Sequence, residues 1–193
     1  KADWKKGTYS YWDSYLKYHY GKEDYSVTDA ITGTGYAADY TRHSVNLSTE
    51  YGRVNKLSKD WSVVPQAQVQ VSYLGGVDTV DSQGISLSAD HSWSLVGRLG
   101  FDLVKHLDPK LDSKCYFKAS LLHEFLDGDD VTAAYGTDRY ITTNDQKGTW
   151  GVIGLGYSVK TGDKQSVYFD MERYVGHDFH RTYSLRAGFN WKF

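Results

Sequence analysis

The sequence predicts an all-β chain, because three patterns recur through its 193 residues. Apolar and polar side chains alternate along short segments, connections rich in Gly, Thr and Asp separate those segments, and aromatic residues collect near the segment ends. Alternation is typical of a β-strand, whose successive side chains point to opposite faces. Aromatic residues make up 16% of the chain, and 19 glycines against 2 prolines suit many strands joined by turns.

The last segment, residues 183–193, shows the alternation most fully. Its odd positions are apolar or aromatic and its even positions are polar or glycine; the odd set is Tyr183, Leu185, Ala187, Phe189, Trp191 and Phe193. About ten alternating residues with aromatic residues near the ends are what a membrane-spanning β-strand requires. We therefore expect one face of this strand to contact lipid and the other to contact water.

Seven further strands are predicted upstream of that segment. In chain order they are residues 8–20, 44–51, 61–74, 93–103, 115–125, 153–159 and 167–172. The connections alternate in length: long loops are expected at 22–40, 75–91 and 127–148, and short turns at 55–60, 108–110 and 161–164. Long external loops and tight periplasmic turns are typical of an antiparallel barrel in an outer membrane. This arrangement predicts that the C-terminus is periplasmic.

The individual strands differ in how cleanly their faces separate. The first places Trp12 and Leu16 opposite Asp13 and Lys17, although its polar side also carries tyrosine. The third is the clearest, since Gln66, Gln68 and Gln70 share one face and apolar residues occupy the other. Three amides would be costly in a dry core, because each needs several hydrogen-bond partners. They fit a hydrated interior.

Charged residues follow the same parity. A basic residue on the lipid face near the bilayer centre costs about 2–4 kcal/mol, and much less near the interfaces. The polar set expected to face inward and line a hydrated lumen is Gln66, Gln68, Gln70, Arg98, Asp102, Lys118, Glu124, Asp170, Glu172 and Arg186. Arg173 falls on the lipid side at the outer end of its strand, where the cost is small. His123 also falls there and fits only at headgroup level.

Aromatic residues mark the expected membrane interfaces. Trp61, Tyr73 and Trp93 lie on the apolar parity near strand ends. Interfacial girdles belong at those positions, whereas the core of a β-sandwich would place large aromatic residues in mid-strand.

Several classes of protein and site are disfavoured. No run of about 18 apolar residues is present, so helical membrane spans are not expected. A formal net charge of -2 predicts no nucleic-acid partner. A single cysteine, Cys115, cannot form an intrachain disulfide. Asp90, His91 and Ser92 are adjacent and point apart, and the acidic run 127–130 lacks the spaced ligands of a calcium loop. We therefore expect no catalytic residue, metal site or cofactor.

A set of short motifs in fixed order resembles a known family. The motifs are Pro-Gln-Ala-Gln-Val at 65–69, Gly-Arg-Leu-Gly at 97–100, Leu-Leu-His-Glu-Phe at 121–125, Gly-Leu-Gly-Tyr at 154–157, and Ala-Gly-Phe-Asn-Trp-Lys-Phe at 187–193. Together they resemble the C-terminal translocator (β-barrel) domain of bacterial autotransporters, the type V secretion family. The resemblance covers nearly the whole chain.

The resemblance implies that residues 1–193 form a single outer-membrane β-barrel domain. The family's barrel has twelve strands, so it implies that about four N-terminal strands lie outside these eight. It further implies a non-enzymatic translocator that exports and anchors an N-terminal passenger, with outer-membrane lipid and its own passenger and linker helix as partners. It also implies an assembly signal in the terminal strand, read by the barrel-assembly machinery through Tyr183, Leu185, Phe189, Trp191 and Phe193.

The sequence is also compatible with two other functions. A small closed outer-membrane barrel with long external loops could act as a surface adhesin or ligand-binding protein. An outer-membrane hydrolase could carry catalytic residues at its loop-bearing rim.

Overall fold

The computed structural model describes residues 7–108, 110–176 and 182–191, and all regular secondary structure in these ranges is β. The strands are β1 (Tyr9–Thr28), β2 (Gly35–Lys56), β3 (Trp61–Leu74), β4 (Val77–Val80), β5 (Ser86–Ala89), β6 (Ser92–Asp108), β7 (Ser113–Glu124), β8 (Asp130–Tyr135), β9 (Asp138–Thr143), β10 (Gly148–Gly162), β11 (Gln165–Val175) and β12 (Tyr183–Trp191). Among the described residues, no helix could cross a membrane.

Eight long strands form one sheet in the order β1-β2-β3-β6-β7-β10-β11-β12. Every neighbouring pair is antiparallel, so the chain runs up and down the sheet without a crossover. These are the eight predicted strands, and the third has the predicted bounds, residues 61–74. The prediction of an all-β antiparallel wall of eight strands is confirmed.

The sheet is curled around one cavity of about 800 Å³. Each of the eight strands contributes to its lining, through Tyr11, Glu50, Val64, Arg98, Lys118, Val152, Asp170 and Asn190 in sheet order. We call the side of the sheet that carries these residues the inner face and the opposite side the outer face. The outer face is apolar and exposed: Trp12 is 72% exposed, and Leu99 and Leu185 are each 67% exposed.

The curled sheet has two open edges. Within the described residues, β1 pairs with β2 and β12 pairs with β11, and neither has a second partner strand. Unpaired backbone N–H and C=O groups at such edges are costly in lipid, where no water can satisfy them. The eight strands therefore form a half-barrel wall.

The expectation of a long loop at residues 22–40 is wrong. β1 and β2 continue as a hairpin to Thr28 and Gly35, so that only residues 29–34 form the turn. At the tip, the backbone N–H groups of Thr32 and Ile31 donate to the Asp29 carboxylate at 2.9 and 2.7 Å. These bonds lower the pKa of Asp29. We call the part of this hairpin within residues 22–40 the β1–β2 extension. Its cross-strand pairing overrides its loop-like composition.

The other two long connections carry structure that the sequence pattern did not predict. Residues 75–91 contain β4 and β5, residues 127–148 contain β8 and β9, and the four strands form a second sheet in the order β4-β5-β8-β9. Pairing of β5 with β8 joins the two connections. The second sheet contacts the β1–β2 extension, where the N–H of Ser82 donates to the carbonyl of Ala37 at 2.8 Å.

At the opposite end of the wall, the described connections between strands are short turns. Residues 57–60 join β2 to β3, and residues 163–164 join β10 to β11. In the third turn, the N–H of Lys110 donates to the Asp108 carboxylate at 2.7 Å, and Pro109 lies outside the described residues. We call this the turn end and the other the loop end.

Inward-facing tyrosines pack over glycines of the neighbouring strand. Tyr116 lies directly opposite Gly156, and a Cβ added at Gly156 would overlap the Tyr116 ring and approach the Asp170 carboxylate. Two further pairs, Tyr11 with Gly52 and Tyr168 with Gly188, repeat the arrangement. Glycine thus provides the room that large rings need on the concave face.

Gly156→Ala should therefore destabilise the wall. Overpacking against a ring held between strands costs about 1–3 kcal/mol. Urea unfolding of the full-length protein in detergent measures the change. Gly35→Ala is the control, because a Cβ there meets nothing within 4 Å. Equal unfolding midpoints for the two variants would contradict this packing role.

Candidate functional site

The inner face is held together by Arg98 in the middle of β6. Its Nη2 lies 2.7 Å from Oε2 of Glu50 on β2, and its Nε donates to Oε1 of Gln68 on β3 at 2.7 Å. Its Nη1 donates to Gln66 at 3.1 Å and to Ser120 on β7 at 3.2 Å. The side chains of Arg98 and Glu50 are only 19% and 15% exposed. One guanidinium therefore joins four strands in a partly dehydrated setting, where charged hydrogen bonds are strong.

The glutamines extend this network along β3. Gln66 donates through Nε2 to Asp102 at 3.1 Å, and Gln68 donates to Ser48 at 2.7 Å. Gln70 lies on the same face, but it makes none of the hydrogen bonds of this network among the described residues. Two of the three glutamines therefore use both ends of their amides.

A second network lies on β7, β11 and β12. Lys118 Nζ is 3.0 Å from Asp170 and 3.5 Å from Glu172, and Arg186 Nη2 is 2.5 Å from Glu172. Tyr116 donates its hydroxyl to Asp170 at 2.8 Å. Asp102 and Lys118 are direct cross-strand partners, so the two networks adjoin.

Glu124 stands apart from both networks. It is buried at the loop end of β7, where it accepts hydrogen bonds from the N–H groups of Leu95 and Leu126 at 2.8 and 3.1 Å. The hydroxyl of Ser94 donates to it at 2.5 Å. Glu124 therefore satisfies backbone N–H groups at the end of a strand.

Near the turn end, the inner face is apolar. Val54 and Val64 are 2% and 3% exposed and pack with Val104, while Tyr11 and Tyr116 cover them. The hydroxyl of Tyr11 donates to Glu50 at 2.8 Å, so the ring separates this layer from the Arg98 network. The sequence pattern did not predict this layer. The alternation of inward and outward residues predicts it only when it is continued for two more residues, from Gly52 to Val54 and from Asp102 to Val104.

Aromatic residues lie at both ends of the outer face. At the loop end the rings of Tyr73 and Trp93 are 5.0 Å apart, and at the turn end Trp61 begins β3. On β12 the side chains predicted as an assembly signal, Tyr183, Leu185, Phe189 and Trp191, are exposed on the outer face. Phe193 lies outside the described residues.

Among the residues the structure describes, no group of three or more His, Cys, Asp or Glu side chains could hold a metal ion. His91 packs beside the ring of Tyr73, with centroids 6.1 Å apart. The absence of a catalytic residue or a cofactor stays a prediction.

An up-and-down sheet with a polar inner face and an exposed apolar outer face defines the wall of a membrane-type β-barrel. The family model of the autotransporter β-domain matches residues 2–172. The chain therefore belongs to the autotransporter β-domain family, whose members are outer-membrane translocators for a passenger domain.

Individual similar proteins support this family assignment. The chain is 27% identical over 185 residues to the pertactin autotransporters of Bordetella parapertussis and Bordetella bronchiseptica, covering 94% of this chain and 19% of each relative. It thus spans about a fifth of the length of these relatives. The solved β domain of the Bordetella autotransporter BrkA matches with a TM-score of 0.67 at 21% identity, over 95% of this chain and 67% of that one. This match shows the fold.

Removing Arg98 should destabilise the wall more than removing an exposed cation. Arg98→Gln leaves Glu50 partly buried without its counter-charge, which we expect to cost about 3 kcal/mol. Glu50→Gln combined with Arg98→Gln should lose less than the sum of the single variants. Urea unfolding of the four proteins in detergent gives the coupling energy.

Lys22→Gln is the matched control. It breaks the ion pair between Lys22 and Asp39. Lys22 Nζ lies 2.6 Å from Asp39 Oδ2, but the two side chains are 67% and 63% exposed. An exposed pair contributes little, so no measurable change is expected. Strict additivity of the Arg98 and Glu50 effects would contradict the structural role of their contact.

Proposed function

We propose that these strands are part of an outer-membrane translocator barrel that exports and anchors an N-terminal passenger domain. The observation that carries the proposal is the separation of side chains by face. Hydrogen-bonded charges and amides occupy the inner face, and apolar side chains cover the outer face. Lipid on one side and water on the other explain both surfaces, because a charge facing lipid near mid-bilayer is costly.

The inner cavity suits a polypeptide. The acceptors Glu50, Asp102, Asp170 and Glu172 and the donors Arg98 and Lys118 line it, together with the valine layer at the turn end. A segment with one polar and one apolar side could contact both regions. This supports an inner face that lines a hydrated lumen holding the passenger's linker helix. The proposal includes no catalytic step by the wall itself.

Further strands are needed to complete the barrel. The open edges of β1 and β12 require partners within a membrane. The match to 67% of the BrkA β domain agrees with eight strands of a twelve-stranded family barrel. We propose that about four additional strands bridge the two edges.

The two ends of the wall support one orientation. The β1–β2 extension and the second sheet occupy the loop end, and turns of a few residues occupy the other. Outer-membrane barrels carry long connections outside and short ones in the periplasm. We place the loop end outside and the C-terminus in the periplasm, with Trp61, Tyr73 and Trp93 in the interfacial girdles.

The terminal strand is proposed to be the assembly signal. β12 pairs only with β11 among the described strands, so one row of its backbone groups is available to another strand. β-Augmentation uses such a row for affinity and alternate side chains for specificity. Tyr183, Leu185, Phe189 and Trp191, with Phe193 beyond the described residues, supply that alternate set to the barrel-assembly machinery.

Narrowing the lumen should reduce export. Val152 lines the cavity, so Val152→Trp in the full-length protein should lower the amount of passenger that protease can reach on intact cells several-fold. Ile153→Trp is the matched control, because Ile153 is the next residue and is exposed on the outer face. Equal display by both variants, with equal amounts of inserted barrel, would contradict transport through this cavity.

Changing the outer face of β12 should impair assembly. Phe189→Ser with Trp191→Ser should lower the fraction of full-length protein that is folded in the outer membrane, measured by its resistance to unfolding in cold detergent. Asn190→Ser changes the inner face of the same strand and should assemble normally. Normal assembly of the double variant would contradict the proposed signal.

A further inference from the structure

Three cations face outward at the ends of the wall. Arg53 on β2 lies opposite Ser10, the second residue of β1. Lys105 on β6 lies opposite Trp61, the first residue of β3, and Arg173 on β11 lies opposite Tyr183, the first residue of β12. All three side chains are exposed. Arg53 and Lys105 are at the turn end, and Arg173 is at the loop end.

Each cation is beside an aromatic residue of the outer face. Lys105 Nζ lies 5.5 Å from the centre of the Trp61 ring, and the Arg173 guanidinium lies 5.7 Å from that of Tyr183. Arg53 lies two residues beyond Tyr51, whose ring packs edge-on against Trp12 at 6.2 Å. These rings prefer the level of lipid headgroups, so the cations lie at the same level.

The outer face of the described strands supplies these cations with no counter-charge. Within the described residues, none of the three forms an ion pair, whereas every inward cation of the two networks does. Six carboxylates within the spanning strands point inward: Asp13, Glu50, Asp102, Glu124, Asp170 and Glu172. Asp108, the last residue of β6, instead accepts from the N–H of Lys110 in the turn. The outward carboxylates Asp24 and Asp39 lie in the β1–β2 extension beyond the loop-end aromatic residues. The outer face at headgroup level is therefore cationic.

An uncompensated cation at the edge of a low-dielectric slab attracts an anion. On a surface that faces lipid, the available anion is the phosphate of a lipid headgroup. Arginine and lysine are both effective phosphate ligands, and an adjacent ring limits the movement of the cation. A basic residue near an anionic surface strengthens attraction about fivefold.

We propose that Arg53, Lys105 and Arg173 bind the phosphates of anionic lipids, two in the leaflet at the turn end and one in the leaflet at the loop end. The inference rests on the proposed insertion of the wall in a membrane and goes beyond it, because an apolar outer face by itself does not select lipids by charge. The barrel would thus carry a shell of anionic lipids at fixed positions.

Native mass spectrometry of the full-length protein tests the selection. The detergent-solubilised protein is mixed with equal amounts of phosphatidylglycerol and phosphatidylcholine with identical acyl chains, and bound lipids are counted. We expect wild type to prefer phosphatidylglycerol. The variant Arg53→Gln, Lys105→Gln, Arg173→Gln should lose that preference, about fivefold for each site.

Two controls separate specific binding from general charge. The charge-retaining variant Arg53→Lys, Lys105→Arg, Arg173→Lys should keep the preference. The variant Lys59→Gln, Lys110→Gln, Lys164→Gln removes equal charge from the exposed turns and should also keep it. No preference in wild type, or equal losses in the outer-face and turn variants, would overturn the inference.

Folding and export are measured in parallel. Single Arg173→Gln provides a milder test if the triple variant folds poorly, and it should lower the preference about fivefold. A protein that inserts and displays its passenger but does not select lipids would refute only this inference. A protein that does not insert would refute the proposed function instead.

Discussion

Strand pairing in one register is the constraint on which the rest of the wall depends. Side chains alternate with a period of two, so a slip of one residue would exchange the faces of a whole strand. In the observed register, Arg98 faces the cavity and Leu99 the outside, and their cross-strand partners Gln68 and Ala67 follow the same division. Backbone hydrogen bonds and side-chain segregation therefore favour the same pairing, and neither could change without the other.

The same register accounts for the chemistry of the inner face. Glu50 and Arg98 lie on β2 and β6, which are separated by β3. The Arg98 side chain reaches across β3 to Glu50, and Gln66 and Gln68 of β3 accept hydrogen bonds from it. Each buried charge gains a partner and each bridging amide uses both its donor and its acceptor, which reduces the cost of dehydration. The inner face is consequently both polar and cohesive. It can border water and contribute to the stability of the wall at once.

The two ends of the wall have different physical roles. At the turn end, Val54 and its neighbours form a small apolar layer beneath Tyr11, so the cavity is not uniformly polar. At the loop end, two distant connections pair through β5 and β8, and the resulting sheet contacts the β1–β2 extension. The loop end is therefore a folded body whose strands support each other through long-range hydrogen bonds.

The sequence by itself determined which side chains of each strand share a face, because alternation is a local pattern and a charged side chain that faces lipid is costly. It thereby predicted the eight strands and the bounds of β3. Only the tertiary structure decided which inward groups meet, that Glu124 serves a strand end, and that residues 77–89 and 130–143 form a second sheet. Those outcomes depend on pairing between segments far apart in the chain, and the strength of such pairing comes from contacts that no single segment contains.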